Sequence, residues 1–258
     1  MSVPQYSEEL DCARRLCTSA GELQQAARVG MPRVSRKADN SPVTAVDRDC
    51  EDLIVSGLRR AYPSDGILGE ETGEHGGESG RRWIVDPLDG TRPYIRGIPT
   101  YSVLLALEDG GRPVVGVIHM PALGLSCWAS AGGGAFLDGE PIHVSGTGAL
   151  KDTMGSAIGF VERADEGVSE RLLALMRRWD YVYGFMDAYS YIAVASGKLD
   201  ACVNLLDKPW DCAAAACIVT EAGGRYSDID GEQSVHNGTI VFTNGLLHQA
   251  VLDALAGK

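Results

Sequence analysis

The chain has 258 residues, of which 45% are hydrophobic and 22% are charged, and its formal net charge is −12. This composition is typical of a globular protein, and the acidic excess argues against a nucleic-acid partner, which would need a basic surface. No apolar stretch approaches the roughly 20 residues of a membrane span, and the N-terminus does not resemble a signal peptide. Seven cysteines without a C-x-x-C pair predict neither a disulfide framework nor a zinc site, so we expect a cytoplasmic protein without a membrane partner.

The first half of the chain is predicted to begin with two helices and to continue as a sheet. Apolar residues at helical spacing predict a helix over residues 6–29 and a second helix that starts near Thr44. The glycine-rich stretch 72–80 is predicted to be an exposed loop. The predicted strands cover residues 67–69, 83–85, 102–107, 114–120, 125–129 and 135–144.

The second half alternates between predicted strands and helices, which indicates α/β layering. Its strands are predicted over residues 154–160, 181–183, 199–205 and 239–243, and its helices over 169–179, 188–196, 211–222 and 246–255. The small, flexible stretch 145–148 is the best linker candidate. We therefore expect an α+β half over residues 1–146 and an α/β half over residues 147–258.

The segment Asp86-Pro87-Leu88-Asp89-Gly90-Thr91 follows a buried apolar strand and carries the strongest chemical signal in the chain. The proline and the Asp-Gly pair predict a tight turn, on one side of which two carboxylates and the Leu88 carbonyl can point. Hard oxygen ligands held this close suit Mg²⁺. The alternative is a capped turn, in which Asp89 only caps a helix that begins near Gly90.

Three further acidic residues stand at the ends of predicted elements. Glu70 follows the strand 67–69, Asp211 precedes an almost wholly apolar helix, and Asp47 lies in the first turn of the second helix. Asp47 and Asp211 could be helix caps, and Glu70 could be a solvated residue. A metal site accounts for the whole set, because buried carboxylates are costly unless a cation or donors compensate them.

Four motifs, in order along the chain, resemble those of the inositol monophosphatase family of Mg²⁺-dependent, lithium-sensitive phosphomonoesterases. They are residues 37–47 (KADNSPVTAVD), Gly69-Glu70-Glu71, Asp86 to Thr91, and Trp210-Asp211. The resemblance runs from about residue 10 to the C-terminus. It implies a layered αβαβα sandwich of the inositol monophosphatase and fructose-bisphosphatase type, and a homodimer.

The resemblance also implies the ligands of two or three Mg²⁺ ions. Glu70, Asp86 and the carbonyl of Leu88 would hold the first ion. Asp86, Asp89 and Asp211 would hold the second, and Glu70 would contribute to a third, weaker site.

The remaining catalytic roles are implied in the same way. Asp47 and Thr91 would orient and deprotonate the attacking water, and the backbone N–H groups of Gly90 and Thr91 would receive the phosphate. Since no serine or cysteine nucleophile motif is found, direct attack by a water that Mg²⁺ activates is the expected chemistry.

Substrate choice is expected to depend on the second half of the chain. Residues 183–191 and 194–200 resemble the histidinol-phosphate phosphatase branch, in which Asp187 would bind a cationic amine; alternatively, Asp187 caps the helix 188–196. Three substrate-side positions depart from the family pattern: Tyr183 stands where Arg is common, Met186 where Gly is common, and Asn204 where a Glu contacts the substrate. The loss of that Glu removes a negative charge from the expected pocket.

The sequence thus predicts a Mg²⁺-dependent phosphomonoesterase of a small alcohol phosphate, with L-histidinol phosphate, an intermediate of histidine biosynthesis, as the first choice. An inositol-1-monophosphatase, or a phosphatase of another sugar or nucleotide phosphate, is the alternative within the family. An acidic, metal-binding regulatory protein without catalysis is the alternative outside it.

Overall fold

A computed structural model describes residues 5–28, 34–36, 42–161, 163, 166–185 and 187–258 of the chain. Met186 and the first part of the motif 37–47, from Lys37 to Ser41, lie outside the described residues, so their predicted roles stay predictions.

The described residues form helices and strands in a mixed order. The helices are α1 (Ser7–Arg28), α2 (Ala45–Ala61), α3 (Thr91–Arg96), α4 (Val168–Met176), α5 (Asp187–Ala195), α6 (Pro209–Glu221) and α7 (His248–Leu255), with a short 3₁₀ turn at Leu150–Asp152. The strands of the first half are β1 (Val34–Arg36), β2 (Pro42–Thr44), β3 (Gly66–Gly69), β4 (Gly73–His75), β5 (Arg81–Asp89), β6 (Ser102–Asp109), β7 (Arg112–Met120), β8 (Leu125–Ser130), β9 (Gly134–Leu137) and β10 (Glu140–Pro141). The strands of the second half are β11 (Met154–Ile158), β12 (Tyr181–Tyr183), β13 (Ala201–Asn204), β14 (Arg225–Ser227) and β15 (Ile240–Thr243).

Two large sheets organise the described part of the chain. The first has eight strands in the order β10-β9-β8-β7-β6-β5-β3-β4, and only the β3–β5 pair is parallel. The second has five strands in the order β12-β11-β13-β15-β14, with β12, β11 and β13 parallel. A separate hairpin joins β1 and β2.

The helices and sheets stack in five layers, α1/α2, first sheet, α5/α6, second sheet and α4/α7, which confirms the predicted αβαβα sandwich. Helix α1 and helix α2 bury one face each against the first sheet, as their apolar spacing predicts. Helix α6 is apolar all round because sheets cover it on both sides. Its backbone approaches β7 so closely that a Cβ at Gly116 would lie 2.2 Å from the carbonyl oxygen of Ala214.

Most predicted elements are confirmed within a few residues, but the exposed loop at 72–80 is wrong in part. Residues Gly73–His75 form β4, which pairs antiparallel with β3. Strand β14 was also not predicted. The chain passes from the first sheet to the second near Gly146, yet one apolar core contains residues of both halves, such as Ile84 and Phe242. None of the described helices is both long and apolar enough to cross a membrane.

Candidate active site

Asp86 and Asp89 both lie on β5, and a β-bulge turns them to the same face of the sheet. Two strand residues three positions apart normally point to opposite faces. Here Asp86 pairs with Leu104 and Asp89 with Ser102, so three steps on β5 match two steps on β6. An extra residue of this kind re-aims the side chains that follow it. The predicted strand covers residues 83–85; the observed strand continues to Asp89, with the bulge between Asp86 and Asp89.

Asp211, in the first turn of α6, brings a third carboxylate to the same point. One oxygen from each of Asp86, Asp89 and Asp211 lies within 4.8 Å of the other two. Several neutral donors hold these side chains: the Leu88 amide (2.9 Å to Asp86 Oδ1), the Ser102 hydroxyl (2.7 Å) and the Ala188 amide (3.2 Å) to Asp89 Oδ2, and the Lys208 amide (2.9 Å to Asp211 Oδ2).

Burial and mutual repulsion disfavour the charged forms of these carboxylates. Burial, followed by the charges of Glu70, Asp89 and Asp211, raises the pKa of Asp86 well above its ordinary value. Burial first and neighbouring carboxylates next raise the pKa of Asp211 in the same direction. The pKa of Asp89 rises to about 7, because of burial and then the charge of Asp187.

This donor set fits divalent metal ions. Within the described ranges, no lysine, arginine or histidine forms an ion pair with Asp86, Asp89 or Asp211. Buried carboxylates that face one another need a cation to remain ionised. Mg²⁺ takes carboxylate and carbonyl oxygens and keeps water ligands for a substrate to replace, so these three residues could hold it.

Glu70 stands beside this group, on the loop after β3. Its amide donates to the Val85 carbonyl at 3.2 Å, which ties the loop to β5, and its charge raises the pKa of both Asp86 and Asp211. The sequence reasoning missed the residue that holds this loop. Glu51, fully buried on α2, accepts hydrogen bonds from the amides of Glu71 (2.9 Å) and Thr72 (2.7 Å). Its position four residues after Asp47 on the buried face of α2 was the signal that could have found it.

Asp47 is both a helix cap and a neighbour of Thr91. Its Oδ2 accepts from the amide (2.8 Å) and the hydroxyl (2.6 Å) of Thr44, the N-cap residue of α2. Its Oδ1 lies 3.3 Å from the Thr91 hydroxyl, which also lies 3.2 Å from the Leu88 carbonyl oxygen. One oxygen of this carboxylate therefore caps α2, and the other faces Thr91, so the two alternative roles of Asp47 do not exclude each other.

Gly90 forms the turn between β5 and α3. Its φ of 78° is left-handed, and a Cβ there would lie 2.9 Å from the Thr100 carbonyl oxygen, so only glycine fits without strain. Oδ2 of Asp187 also lies near this turn, 3.5 Å from the same Cβ position.

A cavity of about 650 Å³ opens over these groups. The predicted site residues on its wall are Glu70, Asp89, Gly90, Thr91, Asp187, Asn204 and Asp211. Asp187 is the first residue of α5 and has a φ of 54°, a conformation that aspartate tolerates better than most side chains. Tyr183 is not among the described residues that line the cavity. Its ring stacks on that of Phe185, with centroids 5.0 Å apart.

Asp207 is a further carboxylate of the cavity wall that the sequence reasoning missed. It is 2% exposed, and its Oδ2 accepts from the Tyr191 hydroxyl at 3.1 Å. Burial is the main cause that raises its pKa to about 7, and its charge, after burial, contributes to raising the pKa of Asp187 to about 6. Its position four residues before Asp211, in the loop that enters α6, was the available signal.

The chain is similar to known proteins over almost its whole length. The model of the inositol monophosphatase family matches residues 5–257. A histidinol-phosphatase of Chlorobaculum parvum is 40% identical over 227 residues, which cover 86% of each chain. An inositol-1-monophosphatase of Mesorhizobium japonicum is 36% identical over 253 residues, covering 95% of this chain and 92% of that protein. The crystal structure of the extragenic suppressor protein suhB from Bartonella henselae superposes with a TM-score of 0.88 at 30% identity, covering 96% of this chain and 98% of the other.

Proposed function

Since the chain belongs to the inositol monophosphatase family and is a phosphoric monoester hydrolase, we propose that it converts L-histidinol phosphate to L-histidinol. The observation that carries this proposal is the position of Asp187 on the cavity wall, beside the Gly90 turn and the acidic group. A carboxylate there suits the amine of histidinol, through a charge-assisted hydrogen bond. The relatives named histidinol-phosphatase support the same choice.

We propose that Glu70, Asp86, Asp89, Asp211 and the Leu88 carbonyl hold two or three Mg²⁺ ions. When bound, the ions would lower the pKa of water and neutralise charge on the phosphate oxygens. The carboxylates come from β5, from the loop after β3 and from α6, so the fold itself fixes their spacing.

The chain's own residues orient the nucleophile and the phosphate in this proposal. The Thr91 hydroxyl donates to Asp47 Oδ1, so its oxygen can accept a hydrogen bond from a water molecule. As the water oxygen bonds to phosphorus, its proton passes to Thr91 and the Thr91 proton passes to Asp47. The bond between phosphorus and the alcohol oxygen breaks, and that oxygen takes up a proton from solvent. The backbone N–H groups of Gly90 and Thr91 would receive the phosphate oxygens.

Phosphate release from a substrate panel tests this function. With Mg²⁺ present, we expect a higher kcat/KM for L-histidinol phosphate than for inositol 1-phosphate, fructose 1,6-bisphosphate or adenosine 3′,5′-bisphosphate. Asp86→Asn is the control, and it should reduce every rate by at least about 100-fold, since removal of one charge-stabilising group typically costs this much. Equal activity of Asp86→Asn would contradict the proposed site, and a strong preference for inositol 1-phosphate would contradict the proposed substrate.

Inositol 1-phosphate is the second candidate, because the chain is also similar to proteins named inositol-1-monophosphatase. The same panel distinguishes it from the first. The alternative of a non-catalytic regulatory protein is not retained, since the chain belongs to the inositol monophosphatase family and two of the relatives compared above are named histidinol-phosphatase and inositol-1-monophosphatase.

We further propose a cytoplasmic homodimer. The free, buried state of all seven cysteines supports a reducing compartment, and the family resemblance supports the dimer. Light scattering should then give twice the 27.4 kDa mass of one chain.

A further inference from the structure

Asp207 is a buried carboxylate of the substrate cavity for which the proposed mechanism has no use. It lines the cavity at the loop between β13 and α6, and it is 2% exposed. Its Oδ1 accepts from the Lys208 amide at 3.2 Å and its Oδ2 from the Tyr191 hydroxyl at 3.1 Å. Its side chain also hydrogen-bonds with that of Asp211, one of the proposed metal ligands. An ionised carboxylate has about four acceptor positions, so Asp207 is held in place and can still accept a hydrogen bond from a ligand.

A hydrogen-bond chain joins Asp207 to Asn204, the position where the family resemblance implies a Glu. The Asn204 amide nitrogen donates to the Tyr191 oxygen at 2.9 Å, and the Tyr191 hydroxyl donates onward to Asp207. The Asn204 amide oxygen already accepts from the Leu206 amide at 3.0 Å. Asn204 therefore presents a hydrogen-bond donor to the cavity, whereas Asp207 presents an acceptor.

The charges around the cavity leave Asp207 and Asp187 without a metal partner. Two of the two or three proposed Mg²⁺ ions would already balance the four carboxylates proposed as ligands, Glu70, Asp86, Asp89 and Asp211. Arg92 and Arg96 also line the cavity, but both are exposed residues of α3 at its mouth. A buried carboxylate that faces a ligand cavity is most readily compensated by a cation on the ligand.

We propose that Asp207 is a specificity-determining residue that, together with Asp187, binds a cationic amine on the substrate. Position 204 lacks a negative charge in this protein, and Asp207 supplies one three residues later. Asp207 lies at the other end of the hydrogen-bond series Asn204–Tyr191–Asp207. Asp207 would thus return to the pocket the negative charge that the sequence predicts it to lack at Asn204. The substrate class is a phosphomonoester of an amino alcohol, and the inference rests on the proposed phosphatase function.

The test compares two substrates that differ in one charge: L-histidinol phosphate and the same compound with its amine acetylated, at pH 7.5. The measured quantity is the ratio of kcat/KM for the first to kcat/KM for the second. Asp207→Asn should lower this ratio by about 10- to 100-fold, the usual value of a hydrogen bond to a charged group. Asp152→Asn removes the same charge from an exposed aspartate outside the cavity, and it should leave the ratio unchanged.

A double variant separates recognition from a structural role. Asn204→Asp combined with Asp207→Asn exchanges the acid and the amide, and Tyr191 can keep both hydrogen bonds with their direction reversed. We expect this exchange to restore the ratio to within about 5-fold of wild type. Calorimetry with L-histidinol and Mg²⁺ gives a readout independent of turnover, and Asp207→Asn should weaken this binding by about 10-fold or more.

An unchanged ratio and unchanged histidinol binding in Asp207→Asn, with an active wild type, would overturn the inference and leave the phosphatase assignment intact. A wild-type protein that releases phosphate from no monoester would overturn both.

Discussion

The Thr91 hydroxyl carries one proton and has two acceptors within reach, Asp47 Oδ1 at 3.3 Å and the Leu88 carbonyl oxygen at 3.2 Å. If the carbonyl faces a cation, as proposed, the hydroxyl must direct its proton to Asp47. Its oxygen lone pairs then point to the space where a water molecule would attack. Asp47 and the Leu88 carbonyl together thus determine the direction of the Thr91 O–H bond.

We expect Thr91→Val to reduce kcat by about 10²- to 10⁴-fold, the typical contribution of positioned proton transfer. Valine keeps the shape of threonine and removes only the hydroxyl. Mg²⁺ affinity, measured by calorimetry, should change by less than about 3-fold, because Thr91 supplies no side-chain ligand. Thr18→Val, at an exposed position of α1, is the matched control. A loss below 10-fold would remove Thr91 from the proton path.

The motif residues of the candidate site could be named from sequence because the roles proposed for them fix both residue type and spacing. Glu51 and Asp207 could not, because their importance depends on what lies beside them in the folded chain. Glu51 holds a loop whose amides lie 20 and 21 residues later in the chain, and Asp207 matters because Tyr191 and the cavity face it. Nothing in local spacing reports such contacts.

Helix α6 is the element that joins the two sheets at the site. Its apolar surface packs on β5 to β9 on one side and on β14 and β15 on the other, and its first turn carries Asp211. The depth of this packing depends on Gly116 of β7, whose missing side chain admits the α6 backbone. A small shift of the helix would move Asp211 relative to Asp86.

Gly116→Ala should therefore destabilise the protein and weaken the site at once. A Cβ at this position lies 2.2 Å from the Ala214 carbonyl oxygen, which belongs to backbone and cannot rotate away. We expect a loss of about 1–3 kcal/mol in the free energy of unfolding, measured in urea, and a weaker Mg²⁺ affinity. Gly146→Ala is the control, since nothing lies within 4 Å of its Cβ position. Equal free energies of unfolding for the two variants would show that α6 can move away from β7 without a loss of stability.

At the scale of elements, the periodic helices and the long antiparallel strands were predictable, and the short pairings were not. Strand β4 lies in a glycine-rich stretch without apolar alternation, and only its pairing with β3 makes it a strand. Strand β14 has three residues and is defined by β15 beside it. The bulge in β5 was read as a strand end, because Pro87 signals a break in pairing without telling whether pairing resumes.

The whole molecule brings together carboxylates that lie far apart along the chain. In the absence of cations their repulsion opposes the folded state. Groups with a raised pKa in the folded protein contribute stability at low pH that is lost as the pH rises through that pKa. For Asp187, Asp89 and Asp207 the loss falls between about pH 4 and 7, since their pKa values are about 6, 7 and 7.

Mg²⁺ should consequently raise the melting temperature more at pH 8 than at pH 5. At pH 5 the ion competes with protons for the same oxygens, whereas at pH 8 it neutralises ionised groups. At 100 times the dissociation constant we expect about 2.7 kcal/mol of stabilisation per site, or an increase of roughly 5 to 10 °C. The measurement is calorimetric melting with Mg²⁺ or with a chelator at each pH.

Comparing the melting temperatures with Mg²⁺ and with a chelator at the same pH cancels the contribution of groups that titrate outside the site. His248 is one of these: burial lowers its pKa to about 4, so it destabilises the fold as the pH falls below about 6.5, the opposite direction. A Mg²⁺ effect that is equal at both pH values would contradict a carboxylate site.

Because of the extra residue in β5, the orientation of Asp86 and Asp89 depends on the number of residues between them more than on which residues these are. Because Asp86 and Asp89 share a face only through the bulge, deletion of one residue at Pro87 would restore ordinary alternation and turn Asp89 to the far side of the sheet. Substitution of Pro87 keeps the count, and with it the facing of both carboxylates. An insertion or deletion here would therefore separate the carboxylates and abolish the proposed metal site, although every acidic residue would remain in the sequence.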